Sequence, residues 1–576
     1  MEITTLQHLV NYISIFGRKP QSRMKEGSTY RQYTYYDFVQ NVRSVAAYFL
    51  RVKRLKKDHM VALYSENRPE WMMAYLGIVY NGMWAVPLDA RLSDFEVKNL
   101  LSDCGTKYLI TTSSLLDNIL SEPEIVRQLQ EIILLDRVDV PKEIAKKVRY
   151  WDDILDEGWA KEHKEHRELV VEPDDVASLI YTSGTTGKPK GVLLTHGNFA
   201  AQVNALHKAV PLTDTDVLLS VLPLHHTYEF SVEITVLYKG GSITYAESLK
   251  PNKMFDNIRE TGVTVMIGVP LLFEKIYDGI MRQVRTLPFG VKHVLMGLYH
   301  FTAGLNALTR KKAGKVIFRF LRKKAHLDGI RFAISGAAPL NHKVAKGFEV
   351  LGITLLNGYG LTETSPVVAV NRIDRINNLS VGHLIEGIEV KIDNPDSEGN
   401  GEICVRGPIV MKGYYKNPKA TKEVIDSEGW LHTGDIGKVD ADGYLYVTGR
   451  IKNIIVTPGG KNVYPEEIEE LINESDFVLE SLIVGVPESE HSKGENIYAY
   501  IVPNYEFLDT YCNLNNLELT DDLVEEVIDR HMREVNAKLP DYKKIRGFRI
   551  RQQEFDKTST RKIKRFLYSG KDFLNT

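Results

Sequence analysis

Chemistry in this sequence concentrates in one run of small, hydroxyl-bearing and basic residues, YTSGTTGKPKG from Tyr181 to Gly191. Gly184, Gly187 and Gly191 let backbone N–H groups approach a ligand closely. Thr182, Ser183, Thr185 and Thr186 add hydroxyls, and Lys188 and Lys190 add positive charge. The combination suits a polyphosphate. It is not a Walker A loop, which needs Gly at position 182 and Ser or Thr at position 189, where this chain has Thr182 and Pro189. A kinase-type loop fails too, because GTTG lacks the first G-x-G. The bland alternative is a flexible turn rich in small residues.

Such a loop needs a rigid base, and VASLIY (Val176 to Tyr181) reads as a buried strand that delivers it to a sheet edge. Strand-like and helical runs alternate around it: VALYS at 61, EWMMAYLGIVYNG, AVPLD at 85, EVKNLLSDC and YLITT at 108. The pattern resumes with VLLSVLPL at 217, SITYA at 242, TVMIGVP at 264, IRFAISG at 330 and ITLLNGYG at 353. This is βαβ alternation, hence largely parallel sheets covered by helices. Ligands of open α/β sheets sit beyond the carboxyl ends of strands, which puts SGAAP and NGYGLTE where a nucleotide would bind. From Leu384 short strands with turn signals take over (IEVKI, GEICVRG, YLYVTG). A new unit then opens with a helix through YPEEIEELINE, followed by SLIVGVP, IYAYIVP and a helix from about Asp521 to Leu539. The fold class expected is α/β, with a large multi-sheet N-terminal domain over 1–449 and a small α+β C-terminal domain over 450–576.

The 576 residues, 43% hydrophobic and 26% charged, can bury a large core in more than one structural unit. A net charge of −2 gives no global attraction to nucleic acid or anionic lipid, so no nucleic-acid partner is expected. Cys104, Cys404 and Cys512 form no CxxC pair or metal-ligand spacing, which suits a reducing, cytoplasmic setting. The N-terminus does not read as a secretory signal, and no apolar run reaches the length of a spanning helix. One local patch departs from this neutrality. Arg310 to His326 (RKKAGKVIFRFLRKKAH) mixes eight Lys or Arg with apolar residues and reads either as a basic amphipathic helix for peripheral membrane contact or as a packed helix with a solvated basic face.

SGAAPL (335–340), NGYGLTETSP (357–366), GWLHTGDIG (429–437), GRIKNIIVTPGGKNVYPEEIE (449–469) and KTSTRKIKR (557–565) follow the first loop in order. Together they resemble the adenylate-forming superfamily of acyl-CoA synthetases, luciferases and adenylation domains, from about residue 60 to 565. The resemblance implies ATP, Mg²⁺ and CoA as cofactors and a carboxylic acid activated as acyl-AMP. It assigns Thr182, Ser183, Gly184, Thr185, Thr186, Gly187 and Lys190 to pyrophosphate handling. Glu363, with Thr182, would hold the magnesium, and Thr362 lies beside it. Ala337, Ala338, Pro339, Asn357, Gly358, Tyr359 and Gly360 match the adenine-holding positions, and Asp435 and Arg450 the ribose-holding ones. Lys562 resembles the catalytic lysine that bridges carboxylate and α-phosphate, although Arg561 stands where the family usually has Gly. Lys452 falls at the hinge, and Gly459 and Gly460 at the segment that approaches CoA.

LPLHHTYEF (222–230) resembles the LPLAH-type segment of long-chain acyl-CoA synthetases, with His226 near the carboxylate and Phe230 at the acyl gate. Long-chain fatty acid is therefore the expected acid. Two alternatives stand beside it: an acyl-carrier-protein synthetase, greeting a carrier protein with Lys543, Lys544, Arg546, Arg549 and Arg551, and a non-catalytic member of the family.

Overall fold

The computed structural model describes all residues except 163–168, 183–188, 310–312, 488–493, 558–562, 569, 571–572 and 574–576. It divides into two compact units: Met1–Ala337 with Gly347–Val390 and Val405–Leu431, and Ala338–Lys346 with Lys391–Cys404 and His432–Thr576.

The first unit carries two sheets. In one, eight strands run in the order Gly413–Tyr414, Lys190–Thr195, Val176–Thr182, Trp84–Leu88, Met60–Tyr64, Tyr108–Thr111, Glu131–Leu134 and Val148–Tyr150. Their β-branched and aromatic runs are buried almost throughout, as parallel strands covered on both faces require. Helices Pro69–Val79 and Asp94–Cys104 supply the crossovers. The first has Pro at its start, and Ser93 closes a capping box with Glu96 on the second. In the other sheet Leu355–Gly360, Phe332–Ser335, Val265–Gly268, Val217–Ser220 and Ser242–Tyr245 lie side by side and parallel. The apolar runs at 61, 85, 108, 217, 242, 264, 330 and 353 thus all contain strands, and the α/β expectation holds.

The second unit has its own core. Val478–Pro487 and Glu495–Pro503 pair antiparallel, and Ile545–Ile550 adds in parallel. Helices Pro465–Ile472 and Asp521–Lys538 bury Ile468, Ile472, Val527, Ile528 and Val535 against that sheet. This α+β core lies within the stretch expected to form the small domain.

Of the basic run at 310–326, residues 310–312 lie outside the described residues, and 313–326 do not form one helix. Gly314–Ile317 and Arg319–Lys324 are separate short helices meeting at Phe318, which is buried. The break has a cause: Arg322 turns inward and donates to the carbonyls of Gly314 and Leu351 at 3.0 and 2.7 Å, so its charge serves packing instead of a solvated face.

Candidate functional site

The strand Val176–Thr182 does not pass into a helix. It turns back as an antiparallel hairpin into Lys190–Thr195, with Thr182 opposite Lys190 and Tyr181 opposite Gly191. The Gly/Ser/Thr run connects these two strands in sequence. Ser183, Gly184, Thr185, Thr186, Gly187 and Lys188 lie outside the described residues. Their stem is well fixed. Gly413–Tyr414 pairs onto the outer side of Lys190–Thr195, with Tyr414 opposite Val192. Lys190 Nζ then sits 4.8 Å from the centre of the Tyr414 ring, an attractive contact of cation and π-face.

Tyr414 links the stem to Glu363, donating its hydroxyl to Glu363 Oε1 at 2.9 Å. Burial, and then the Glu363 charge, push the Tyr414 phenol upward, so it stays protonated and donates. Glu363 stands in a tight turn, Thr362–Thr364. Met411 N donates to the Glu363 carbonyl at 2.9 Å, Ser365 Oγ to Ile409 O at 2.8 Å, and Ser231 Oγ to Ser365 O at 2.9 Å. The strand before the turn must come close: a Cβ on Gly360 would lie 1.8 Å from the Pro366 carbonyl oxygen, so glycine is required there. A carboxylate with one oxygen bonded to a phenol is a hard oxygen donor of the kind Mg²⁺ takes, and Lys190 on the same phenol's ring brings positive charge suited to phosphate.

Asn357, Gly358, Tyr359 and Gly360 end the strand Leu355–Gly360, and Ser335 faces Asn357 across the parallel pair. Asn357 Nδ2 donates to Ser380 O at 3.4 Å, while Asn357 Oδ1 and Ser335 Oγ are buried with no partner among the described residues. An unsatisfied buried acceptor is costly, and an adenine amino group would satisfy one. Ala337 adopts φ +70°, rare for a residue with a Cβ, directly after this strand-end pair. Ala338 and Pro339 open the second unit, half-buried and exposed respectively.

In the second unit Asp435 and Arg450 stand opposite each other on the antiparallel strands Leu431–Val439 and Tyr444–Arg450. Arg450 Nε lies 2.7 Å from Asp435 Oδ1, and the aspartate is nearly buried. The turn before Asp435 is tightly held. Glu402 accepts from Gly434 N at 3.0 Å and pairs with His432 Nδ1 at 2.8 Å, and Thr433 Oγ1 donates to Ile403 O at 2.6 Å. Cys404 joins this group, its Sγ 3.4 Å from His432 Nδ1, a cluster that cysteine spacing alone did not reveal. Lys452 follows Arg450 in a short turn, and Gly459 and Gly460 form the exposed tip between Ile455–Val456 and Asn462–Val463. Lys562 and Arg561 lie outside the described residues.

His226 occupies the N-cap position of helix Thr227–Lys239, and its ring centre lies 4.0 Å from that of His225 with the planes tilted by 46°. The loop before it is held from two sides. Asn67 accepts from Leu224 N at 2.9 Å, and Glu229 accepts from Leu222 N at 3.1 Å. Phe230 is buried, 4.3 Å from Tyr75 and 5.1 Å from Phe199 between ring centres. Sequence reasoning passed over Tyr414 and the buried Glu229 and Glu233. The adjoining aromatics and lysine in GYYK were the one local hint of the first, and no local pattern marks a carboxyl pair inside an apolar helix.

Comparisons with known proteins agree with this geometry. Residues 16–415 match the family model described as AMP-binding enzyme, and residues 467–562 match the AMP-binding enzyme C-terminal domain. Long chain acyl-CoA synthetase 6, peroxisomal, of Arabidopsis thaliana is 34% identical over 74% of this chain, which spans 62% of that relative's length. Long-chain-fatty-acid--CoA ligase ACSBG2 of Homo sapiens is 30% identical over 82% of this chain and 73% of its own. Long-chain-fatty-acid--[acyl-carrier-protein] ligase AEE15, chloroplastic, of Arabidopsis thaliana is 30% identical over 79% of this chain and 70% of its own. Among solved structures, the anthranilate CoA ligase AuaEII with anthranoyl-AMP superposes with a TM-score of 0.76 at 21% identity, over 99% of this chain and 98% of that one, which shows the shared fold. With the family model covering well over half its length, the chain belongs to the AMP-binding, adenylate-forming enzyme family.

Proposed function

We propose that this chain is an acid–thiol ligase that activates a long-chain fatty acid with ATP and passes the acyl group to CoA. The observation that carries the reading is the meeting of Lys190, Tyr414 and Glu363 at the stem of the Gly/Ser/Thr loop. A carboxylate oxygen attacks the α-phosphorus, the bond to the β-phosphate bridge breaks, and pyrophosphate leaves. The thiolate of CoA then attacks the acyl carbon of the mixed anhydride, and AMP leaves. Both steps gather negative charge, so catalysis is largely positioning and neutralisation. Thr182 and the loop hydroxyls with Lys190 handle pyrophosphate; Asn357 and Tyr359 hold adenine, and Asp435 with Arg450 the ribose. Glu363 with Thr182 would hold Mg²⁺, which supplies charge neutralisation to the phosphates. His226 and Phe230 are assigned to the acyl side, Gly459 and Gly460 to CoA. Residues 1–449 and 450–576 are taken as the two domains, hinged at Lys452.

The names of the relatives support the long-chain acid. One relative is named for an acyl carrier protein, which keeps that acceptor as the second reading. All three cysteines are free and buried, which suits a reducing, cytoplasmic setting, with peripheral membrane contact through 310–326. A panel of acids scored by pyrophosphate release, with CoA or a pantetheinylated carrier as acceptor, tests the reading; a flat response to chain length removes the fatty-acid assignment. Lys562→Ala is expected to abolish acyl-adenylate formation, by about 10² to 10³ or more, while sparing thioester formation from supplied acyl-AMP. Equal loss of both half-reactions would remove Lys562 from its role.

A further inference from the structure

The helix Phe289–Thr309 carries one charged residue, Lys292, in its whole length. Its inner side is anchored in protein. Leu295 is buried, Tyr299 and Tyr277 share a hydroxyl–hydroxyl bond at 3.0 Å, and Asn306 accepts from Ala313 N at 3.0 Å. The other side is bare and, apart from exposed His293 and His300, apolar. Val294 is 70% and Phe301 62% exposed, seven residues apart on one face with exposed Gly290, Gly297 and Gly304 in the same line. Phe289, at the helix start, is 79% exposed. A core helix would bury this face, and a solvated helix would charge it.

The neighbouring short helices continue the surface. Tyr299 on the long helix approaches Phe318 at 6.5 Å between ring centres. On the other side of Phe318, Val316 (81% exposed) and Phe320 (54%) stand among exposed Lys315, Arg319, Lys323 and Lys324. The charge here is one-sided. Residues 279–327 contain eleven Lys or Arg and no Asp or Glu, in a chain whose acids outnumber its bases by 75 to 73.

We infer that the exposed face of helix Phe289–Thr309, flanked by the basic helices at 314–324, docks on an anionic lipid bilayer with Val294 and Phe301 entering the interface. This deepens the peripheral contact proposed for 310–326 and rests on it, but moves the inserted element to a helix with no basic cluster of its own. No described helix is long and apolar enough to cross a membrane, so the element lies in the interface plane. An acidic protein partner would answer the lysines but leave the line of Val294 and Phe301 without a match. A bilayer answers both, because apolar burial and attraction to anionic headgroups add.

The test is flotation of the full-length protein with phosphatidylcholine vesicles, with and without phosphatidylserine. Binding is expected only with phosphatidylserine and is expected to fall as salt rises. Val294→Glu with Phe301→Glu should abolish flotation. Reversing Lys315 and Arg319 to Glu should weaken it more than tenfold, at about fivefold for each basic residue lost near the surface. Activation of a short, water-soluble acid without vesicles reports folding and should be unchanged in both variants. Equal binding to pure phosphatidylcholine, or flotation untouched by the Val294/Phe301 pair, overturns the proposal. So does capture by an acidic carrier protein with no vesicle binding. Inactivity of the unaltered chain on every acid would instead count against the ligase reading and leaves the flotation result standing.

Discussion

Two places in the first unit put carboxylates at the centre of a polar group, and they solve opposite problems. Glu363 stands half-buried in a tight turn, with a phenol on one oxygen and Lys190 on the far face of that phenol's ring. Glu229 and Glu233 lie one turn apart on helix Thr227–Lys239, both fully buried, with no ion pair to either among the described residues: Leu222 N donates to the first and the Tyr245 hydroxyl to the second, at 3.1 and 2.9 Å. One acid is kept where it can meet a cation. The other two resist ionising. Burial, and for Glu229 also the neighbouring Glu233, raise both pKa values, with Glu233 at about 7. A carboxyl raised by desolvation inside a fold invites assignment as a catalytic acid. Here Glu229 holds the LPLHH loop and Glu233 braces Tyr245, while the carboxylate offered to ligands is the half-buried one.

The contrast is sharpest if the charge of Glu363 is removed. Glu363→Gln keeps the shape and an acceptor for Tyr414, but removes the anion proposed to hold the metal. We expect acid-dependent ATP–pyrophosphate exchange to fall about 10² to 10³-fold with thermal stability nearly unchanged. A loss under tenfold would mean that Glu363 only braces the turn. Tyr414→Phe is the gentler cut. The ring stays under Lys190 while the hydroxyl bond to Glu363 goes, a loss of about 1 kcal/mol or up to tenfold in rate. The effect should fall on kcat and on the magnesium dependence of the rate, because the phenol is placed to aim the carboxylate.

Most of what positions the site could be read from the chain, and the reason is periodicity. Runs such as VMIG at 265 and FAIS at 332 are short, apolar and rich in β-branched or aromatic residues, so their strands and the ligand-facing strand ends follow locally. Tyr414 was hidden because its meaning is non-local. It sits in a two-residue strand and acts on Glu363, 51 positions away, through pairing with Lys190–Thr195. The exposed helix Phe289–Thr309 was hidden for a different reason, since an apolar helix pattern looks the same whether protein or lipid covers it. The basic run after it drew notice by composition, yet Arg322 spends its charge on backbone carbonyls, which no composition count reveals. Phe230 fits an acyl gate by position in LPLHHTYEF, whereas the structure surrounds it with Trp71, Tyr75 and Phe199, contacts set by two other helices.

The buried pair gives the smallest effect and the cleanest sign. Glu233 has an ordinary carboxyl pKa near 4.5 when unfolded and about 7 when folded, so between those values the folded chain binds more protons than the unfolded one. Stability from this group is present below the lower value and is lost as pH rises toward the upper. Over pH 6 to 8 the loss amounts to about 1 kcal/mol, since one full pKa unit is about 1.4 kcal/mol. Glu233→Gln keeps an oxygen for the Tyr245 hydroxyl and cannot ionise. Chemical denaturation at pH 6 and pH 8 should therefore show a fall in stability for the unaltered chain and a flatter response for the variant, which becomes relatively more stable at the higher pH. An equal fall in both would mean that Glu233 is already ionised in the fold over this range and balanced by charge elsewhere. Glu229 and Asn67 would still hold the LPLHH loop, but Glu233 would then be an anion like Glu363 and differ from it in burial.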